Sequence, residues 1–173
     1  GSPTANEYAW GATTHTRATG VVNAGLPNEA ASNAGANAAL NYQQSGGLAG
    51  PVRVGAFATA SSSRSQAGAS FWGIMGLSDN VLERTISIGR TEGRTFTGLH
   101  GRGQLEIPSG WPSENAVGSG LRGSSWYEDI SRARVSDREM AVYTDASRFY
   151  LFGGRAVRTA PGARVVTSEI SGA

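Results

Sequence analysis

The chain contains no cysteine and no lysine. Without thiols there is no disulfide framework, no thiolate nucleophile and no cysteine-bound metal, and the redox compartment cannot be read. All 15 basic residues are arginines, whose planar forks pair with carboxylates through two hydrogen bonds and stack on aromatic rings. Charge of either sign is scarce, at 16% of residues and a net +2, against about a quarter in ordinary domains. The arginines are scattered from Arg17 to Arg164, whereas a nucleic-acid surface clusters its basic residues, so nucleic acid is not expected as a partner. No apolar run is long enough to span a bilayer, and no secretory leader is visible. Gly1-Ser2 reads as a cloning remnant, so further protein sequence is expected before Pro3.

Glycine is abundant instead, at 25 of 173 residues, while 39% of residues remain hydrophobic. That combination suits one compact domain over residues 1–173, rich in turns and loops. Thr4-Ala5-Asn6-Glu7 has the S/T-x-x-E form of a helix capping box, which predicts a short helix from about Ala5 to Gly11. Asn23, Asn28, Asn33, Asn37 and Asn41 suit turns, because asparagine tolerates left-handed backbone and caps its neighbours. Alternation predicts strands over Pro51–Phe57 and Thr85–Gly89. Further strands are expected at Leu121–Trp126, Ala133–Arg138 and Gly153–Arg158. The apolar stretch Gly68–Glu83, with Phe71, Trp72, Ile74, Met75 and Leu77, is expected to form the central core. Gly93–Gly120 reads as one long loop, a feature often tied to function.

Six of the 14 aromatic residues fall between Leu121 and Phe152. Trp126 suits the core. Phe149-Tyr150-Leu151-Phe152 cannot all face one side of a strand, so part of that run is expected at the surface, where held aromatics make good binding area. His15 and His100 are isolated, and no G-x-S-x-G elbow occurs. Arg134, Asp137 and Arg138 are expected to form structural ion pairs beneath the surface rather than an acid–base site.

These landmarks resemble the formylglycine-generating-enzyme-like family in its sulfatase-modifying-factor form. Pro3 to Ala12 is similar to that family's P-T-E-A-E-W-E-Y-A segment, and Pro51 to Phe57 to its P-V-G-S-F segment. Phe71 to Glu83 is similar to G-L-x-D-M-x-G-N-V-W-E, Leu121 to Trp126 to R-G-G-S-W, and Gly153 to Val157 to G-F-R-x-V. The resemblance implies an α+β C-type lectin fold of short helices, twisted antiparallel strands and long loops. It also implies that an N-terminal portion of the domain precedes Pro3. Asn80 and Glu83 match family positions that contribute to a calcium site, for which two side chains fall short of the usual oxygen count. The family's oxidising members carry a cysteine pair after G-G-S; here Trp126-Tyr127-Glu128-Asp129 stands there. Leu82 and Gly154 also depart from the enzyme pattern.

Those departures, with R-V-S-D-R and G-G-R-A-V-R-T-A-P, look more like the variable proteins of diversity-generating retroelements. In that branch a lectin-fold scaffold carries a segment rewritten at the adenines of asparagine codons. Tyr127, Asp129, Ile130, Asp137, Val142, Tyr143, Asp145, Phe149, Tyr150, Leu151 and Phe152 are all reachable by that route, whereas Trp126, Glu128, Glu139 and Met140 are not. The resemblance therefore implies a non-catalytic domain displaying these eleven residues to a protein or other macromolecular ligand, at a cell surface or on a virion. The alternatives are a purely structural lectin-like domain and an oxidase homologue. The absence of cysteine sets a test: incubation with copper and a sulfatase-type cysteine peptide is expected to give no aldehyde by mass spectrometry above a protein-free control. A clear aldehyde signal would reinstate the oxidase.

Overall fold

The computed structural model describes residues 4–41, 47–95, 117–145 and 147–155. Regular structure within them is sparse. Strands β1 (Val21–Val22) and β2 (Ala30–Ala31) form an antiparallel ribbon. Strand β3 (Leu82–Ile86) is the centre of a three-stranded sheet, with β4 (Ser119–Arg122) antiparallel on one side and β5 (Phe152–Gly153) parallel on the other. A four-residue helix, α1 (Thr91–Arg94), and a 3₁₀ turn at Ile130–Ala133 complete the regular elements. The arrangement is mixed α and β, mostly short strands and loops, compatible with the α+β class.

Two buried clusters support it, one centred on aromatic rings and one built largely from alanine. Tyr8, Trp10, Ala38, Leu40 and Ala133 form one; Ala18, Ala36, Ala39 and Leu48 form the other. Small side chains let backbone segments approach closely, so much of the cohesion passes through hydrogen bonds. Asn23 behaves as the expected turn residue, whereas Asn33 and Asn37 cross-link segments distant in sequence. Asn37 Oδ1 accepts from Thr16 N at 2.8 Å, Asn33 Oδ1 accepts from Thr19 N at 2.9 Å, and Asn23 is left-handed at φ 55°.

Several expectations fail. Residues 5–11 form turns, not a helix: Asn6 is left-handed at φ 62° and Gly11 at φ 79°, and neither value belongs in a right-handed helix. Tyr8 and Trp10 instead stack with ring centroids 4.8 Å apart. Pro51–Phe57 also lacks strand structure, because Val52 spends both backbone groups on the side chain of Asn80. The strand expected at Thr85–Gly89 runs earlier, over Leu82–Ile86. The one expected over Leu121–Trp126 stops at Arg122, because Gly123 turns left-handed at φ 80°. A Cβ there would lie 2.8 Å from the Leu77 carbonyl oxygen, so only glycine fits. Ala133–Arg138 is not a strand; Ala133 ends the 3₁₀ turn and residues 134–138 follow it in turns and irregular backbone. The strand expected at Gly153–Arg158 appears only as Gly153 of β5, and residues beyond Arg155 lie outside the described residues. Most of the expected long loop, 96–116, lies outside them too.

The central core does not include Phe71 and Trp72, which are 72% and 82% exposed; Ile74 is exposed as well, and Met75 and Leu77 are half-buried. Apolar density was a poor guide because the segment is a tight hairpin. Ser70 N donates to Ile74 O at 2.8 Å and Gly73 N to Ser70 O at 3.0 Å, which leaves Phe71 and Trp72 at its tip. Burial returns immediately afterwards, at Ser78, Asp79 and Asn80. Ser78 Oγ accepts from Ala9 N at 2.9 Å and Asp79 Oδ2 from Ala39 N at 2.6 Å. The Asn80 carbonyl accepts from Trp126 N at 2.9 Å.

Burial pushes the Asp79 carboxyl up to about 6; the Ala39 N–H opposes that shift, Glu83 adds to it and Arg155 opposes it. With its folded-state value above the ordinary one of 3.8, the native protein holds this proton more tightly than the unfolded chain does. The associated stability is fully present below pH 4 or so and is lost as pH rises through about 6. Asp79→Asn has no such titration. Relative to the parent it should gain about 2–3 kcal/mol between pH 4 and pH 7 in denaturant unfolding. Parent and variant curves that run parallel across that range would show that burial does not hold the proton.

Candidate recognition surface

The centre of the sheet organises the segment after β4. Leu121 N donates to Met140 O at 2.8 Å, and a Cβ on Gly120 would overlap the Ala141 carbonyl. Residues 140–141 therefore run hard against the outer edge of β4. On the opposite edge Leu82 N donates to Leu151 O at 2.8 Å, which fixes β5. Arg84, in the middle of β3, spans the two. It donates to Ser119 Oγ at 3.3 Å, to Tyr143 O at 3.5 Å and to the Asp145 carbonyl, and its guanidinium lies over the Phe152 ring, 5.6 Å from the centroid. Sequence reading passed over Arg84; a lone arginine in a β-branched strand was the available signal.

The six aromatics of this region form one unbroken chain of ring contacts. Tyr127 meets Trp126 edge-on at 5.5 Å, and Trp126 meets Tyr150 at 6.1 Å. Tyr150 meets Phe149 at 4.4 Å, Phe149 meets Phe152 at 5.5 Å, and Phe152 meets Tyr143 at 5.9 Å. Trp126 is buried as expected and anchors one end. Phe149 and Tyr150 are 46% and 59% exposed; Tyr127, Tyr143 and Phe152 are half-buried. Phe152 N donates to Phe149 O at 2.9 Å, so the four-residue run is a turn rather than an extended strand. That turn is why three of its side chains reach the surface while Leu151, 6% exposed, points inward.

The remaining members of the eleven-residue set differ in role. Tyr143 OH donates to Asp145 Oδ2 at 3.0 Å, and Asp145 Oδ1 accepts from Ser147 N at 2.8 Å. The Ser147 donors first, then the Tyr143 hydroxyl, hold the Asp145 carboxyl below its ordinary range, while the bond to Asp145 raises Tyr143. Val142 is exposed. Asp129 caps the 3₁₀ turn by accepting from Ser131 N at 2.8 Å, and Ser131 holds its carboxyl low. Ile130 packs against the Tyr8–Trp10 cluster. Asp137 is half-buried, with its backbone N–H donating to Arg134 O.

The ion pairs expected of Arg134, Asp137 and Arg138 are absent among the described residues. The pairs found are Arg132 with Glu128 and Glu139, and Arg155 with Glu83. Glu83 thus holds Arg155 at 2.6 Å, and the amide of Asn80 is spent on Val52 N and O. Both residues proposed for calcium are engaged with protein partners, and no group of three or more His, Asp or Glu side chains that could hold a metal occurs among the described residues. His15 packs edge-on to Tyr8, and His100 lies outside the described residues. No helix among the described residues is long and apolar enough to cross a membrane. No protein-family model, curated protein or solved structure matches the chain.

Burial sets the order of sensitivity within the run. Leu151→Ala should destabilise the fold by about 2–5 kcal/mol, and Tyr150→Ser by about 1 kcal/mol or less, measured by chemical denaturation. Equal losses would mean that Tyr150 is packed as tightly as Leu151.

Proposed function

We propose that this protein is a non-catalytic ligand-binding domain that presents the aromatic surface around Phe149 and Tyr150 to a macromolecular partner. One observation carries the reading: linked, partly exposed rings sit on backbone fixed from both sheet edges and by Arg84. Rings held in place lose little conformational freedom on binding, so less of the interaction is offset by ordering. Tyrosine and phenylalanine with a polar rim such as Asp145 suit a protein ligand.

On this reading the scaffold is a C-type lectin fold of the formylglycine-generating type, and the protein is a variable protein of a diversity-generating retroelement, displayed at a cell surface or on a virion. The adenine-reachable residues Tyr127, Asp137, Val142, Tyr143, Asp145, Phe149, Tyr150 and Phe152 would be the positions that vary. Rewriting them is tolerable because exposed substitutions cost little, whereas rewriting a core would exhaust a stability of about 5–15 kcal/mol. Leu151, Asp129 and Ile130 serve the fold, so they would vary less freely.

Two measurements test this. A quadruple variant, Tyr127→Ser, Val142→Ala, Phe149→Ala and Tyr150→Ser, should melt cooperatively within a few degrees of the parent. The genomic region encoding the chain should carry a near-identical repeat, differing at adenines at these codons, beside a reverse transcriptase gene. A variant that fails to fold, or a locus without such a repeat, would reject the diversified-surface reading.

A further inference from the structure

On the β4 side of the sheet lies an open cleft of about 480 Å³, outside the aromatic chain. Ile86, Ile88, Ala141 and Val142 supply apolar wall; Arg122 and Arg138 supply charge. Ile88 is 78% exposed although it is among the larger apolar side chains of the molecule. The two guanidinium groups converge: Arg122 donates to Val135 O at 2.8 Å and Arg138 to the same oxygen at 2.7 Å. Like charges flanking one neutral carbonyl repel each other, and neither arginine forms an ion pair among the described residues. Burial, and then the charge on Arg138, lowers the pKa of Arg122, with Asp137 partly offsetting them.

Two arginines without an ion-pair partner among the described residues, beside apolar wall, are complementary to an anion that carries an apolar tail. The planar forks suit the two oxygens of a carboxylate, and the volume lies within the usual range of small-ligand sites. We propose that this cleft is a second binding site, which takes a carboxylate bearing an apolar group of about four to six carbons, either a free acid or the C-terminal residue of a peptide. It is independent of the diversified-surface reading: Val142 is the sole residue of the eleven in its lining, and Arg122, Arg138, Ile86 and Ile88 stand outside that set.

The test uses the full chain and follows arginine side-chain N–H resonances by NMR. Hexanoate represents the free acid and N-acetyl-leucine the peptide terminus; 1-hexanol and acetate each keep one half of the chemistry. At least one of the two carboxylates should saturate with the affected signals on Arg122 and Arg138, at least tenfold more tightly than either control, and the tighter of the two identifies the source. Arg138→Gln, on the more exposed side chain, should weaken binding at least tenfold, and Asp137→Asn should tighten it severalfold by removing the competing charge. Phe149→Ala with Tyr150→Ser should leave it unchanged, which separates this site from the aromatic surface. Absence of saturation by both carboxylates, equal binding of hexanol, or parent-like affinity in Arg138→Gln would overturn the proposal.

Discussion

The architecture depends on three consecutive buried residues, Ser78, Asp79 and Asn80. Ser78 receives the N-terminal segment through Ala9, and Asp79 receives the alanine-rich segment through Ala39. Asn80 pairs both its amide groups with Val52, donates its N–H to Ala39 O at 3.3 Å and accepts from Trp126 N. Four segments distant in sequence thus meet on one turn, and Asn80 can serve them because it adopts φ 71°. Left-handed backbone is open to asparagine at modest cost. Alanine supplies half of the buried apolar residues among those described and buries little area per residue, so directional bonds of this kind supplement the bulky side chains of the core.

From that turn the chain passes straight into β3, and the consequences reach the surface. The Leu82 amide holds Leu151, Glu83 holds Arg155, and Arg84 holds Tyr143, Asp145 and Phe152. Trp126, pinned by Asn80, anchors the other end of the aromatic chain. Both ends of the candidate surface therefore trace to residues 80–84. The backbone beneath Phe149 and Tyr150 is fixed by contacts that do not involve those side chains, so their identities can change without removing what holds them.

Legibility in the sequence followed the same division. Trp126 as core, β3 and β4 in outline, the turn at Asn23 and the exposure of part of the Phe149–Phe152 run could be read from residue type and local pattern, but Leu151, expected at the surface with its neighbours, is buried. Asp79 could not be, because an Asp–Asn pair reads as an exposed turn until the distant N–H groups of Ala39 and Val52 arrive. The hairpin at Ser70–Ile74 misled for the opposite reason: apolar density suggests burial, but Gly73 at φ 77° and the Ser70 hydroxyl, which accepts from Ile74 N at 3.1 Å, make a tip whose side chains point outward. Val52 shows the same override in miniature, since its alternating neighbours favour a strand while Asn80 takes both of its backbone groups. Arg84 was missed because its importance lies in what it reaches across the sheet, which no local window contains.

The scarcity of charge gains meaning from this arrangement. Ion pairs gain little when exposed and incur desolvation when buried, and few are needed where backbone amides and asparagines supply the cross-links. Arginine, present without any lysine, can hydrogen-bond carbonyls as well as carboxylates, and here it does both: Arg84, Arg122 and Arg138 reach main-chain oxygens, while Arg132 and Arg155 reach carboxylates. A carbonyl-bound guanidinium keeps its full charge. The arginines that brace the segment after β4, Arg84, Arg122 and Arg138, therefore keep their charge while holding main-chain oxygens, so the bonds that fix this backbone also set the charge placed beside it.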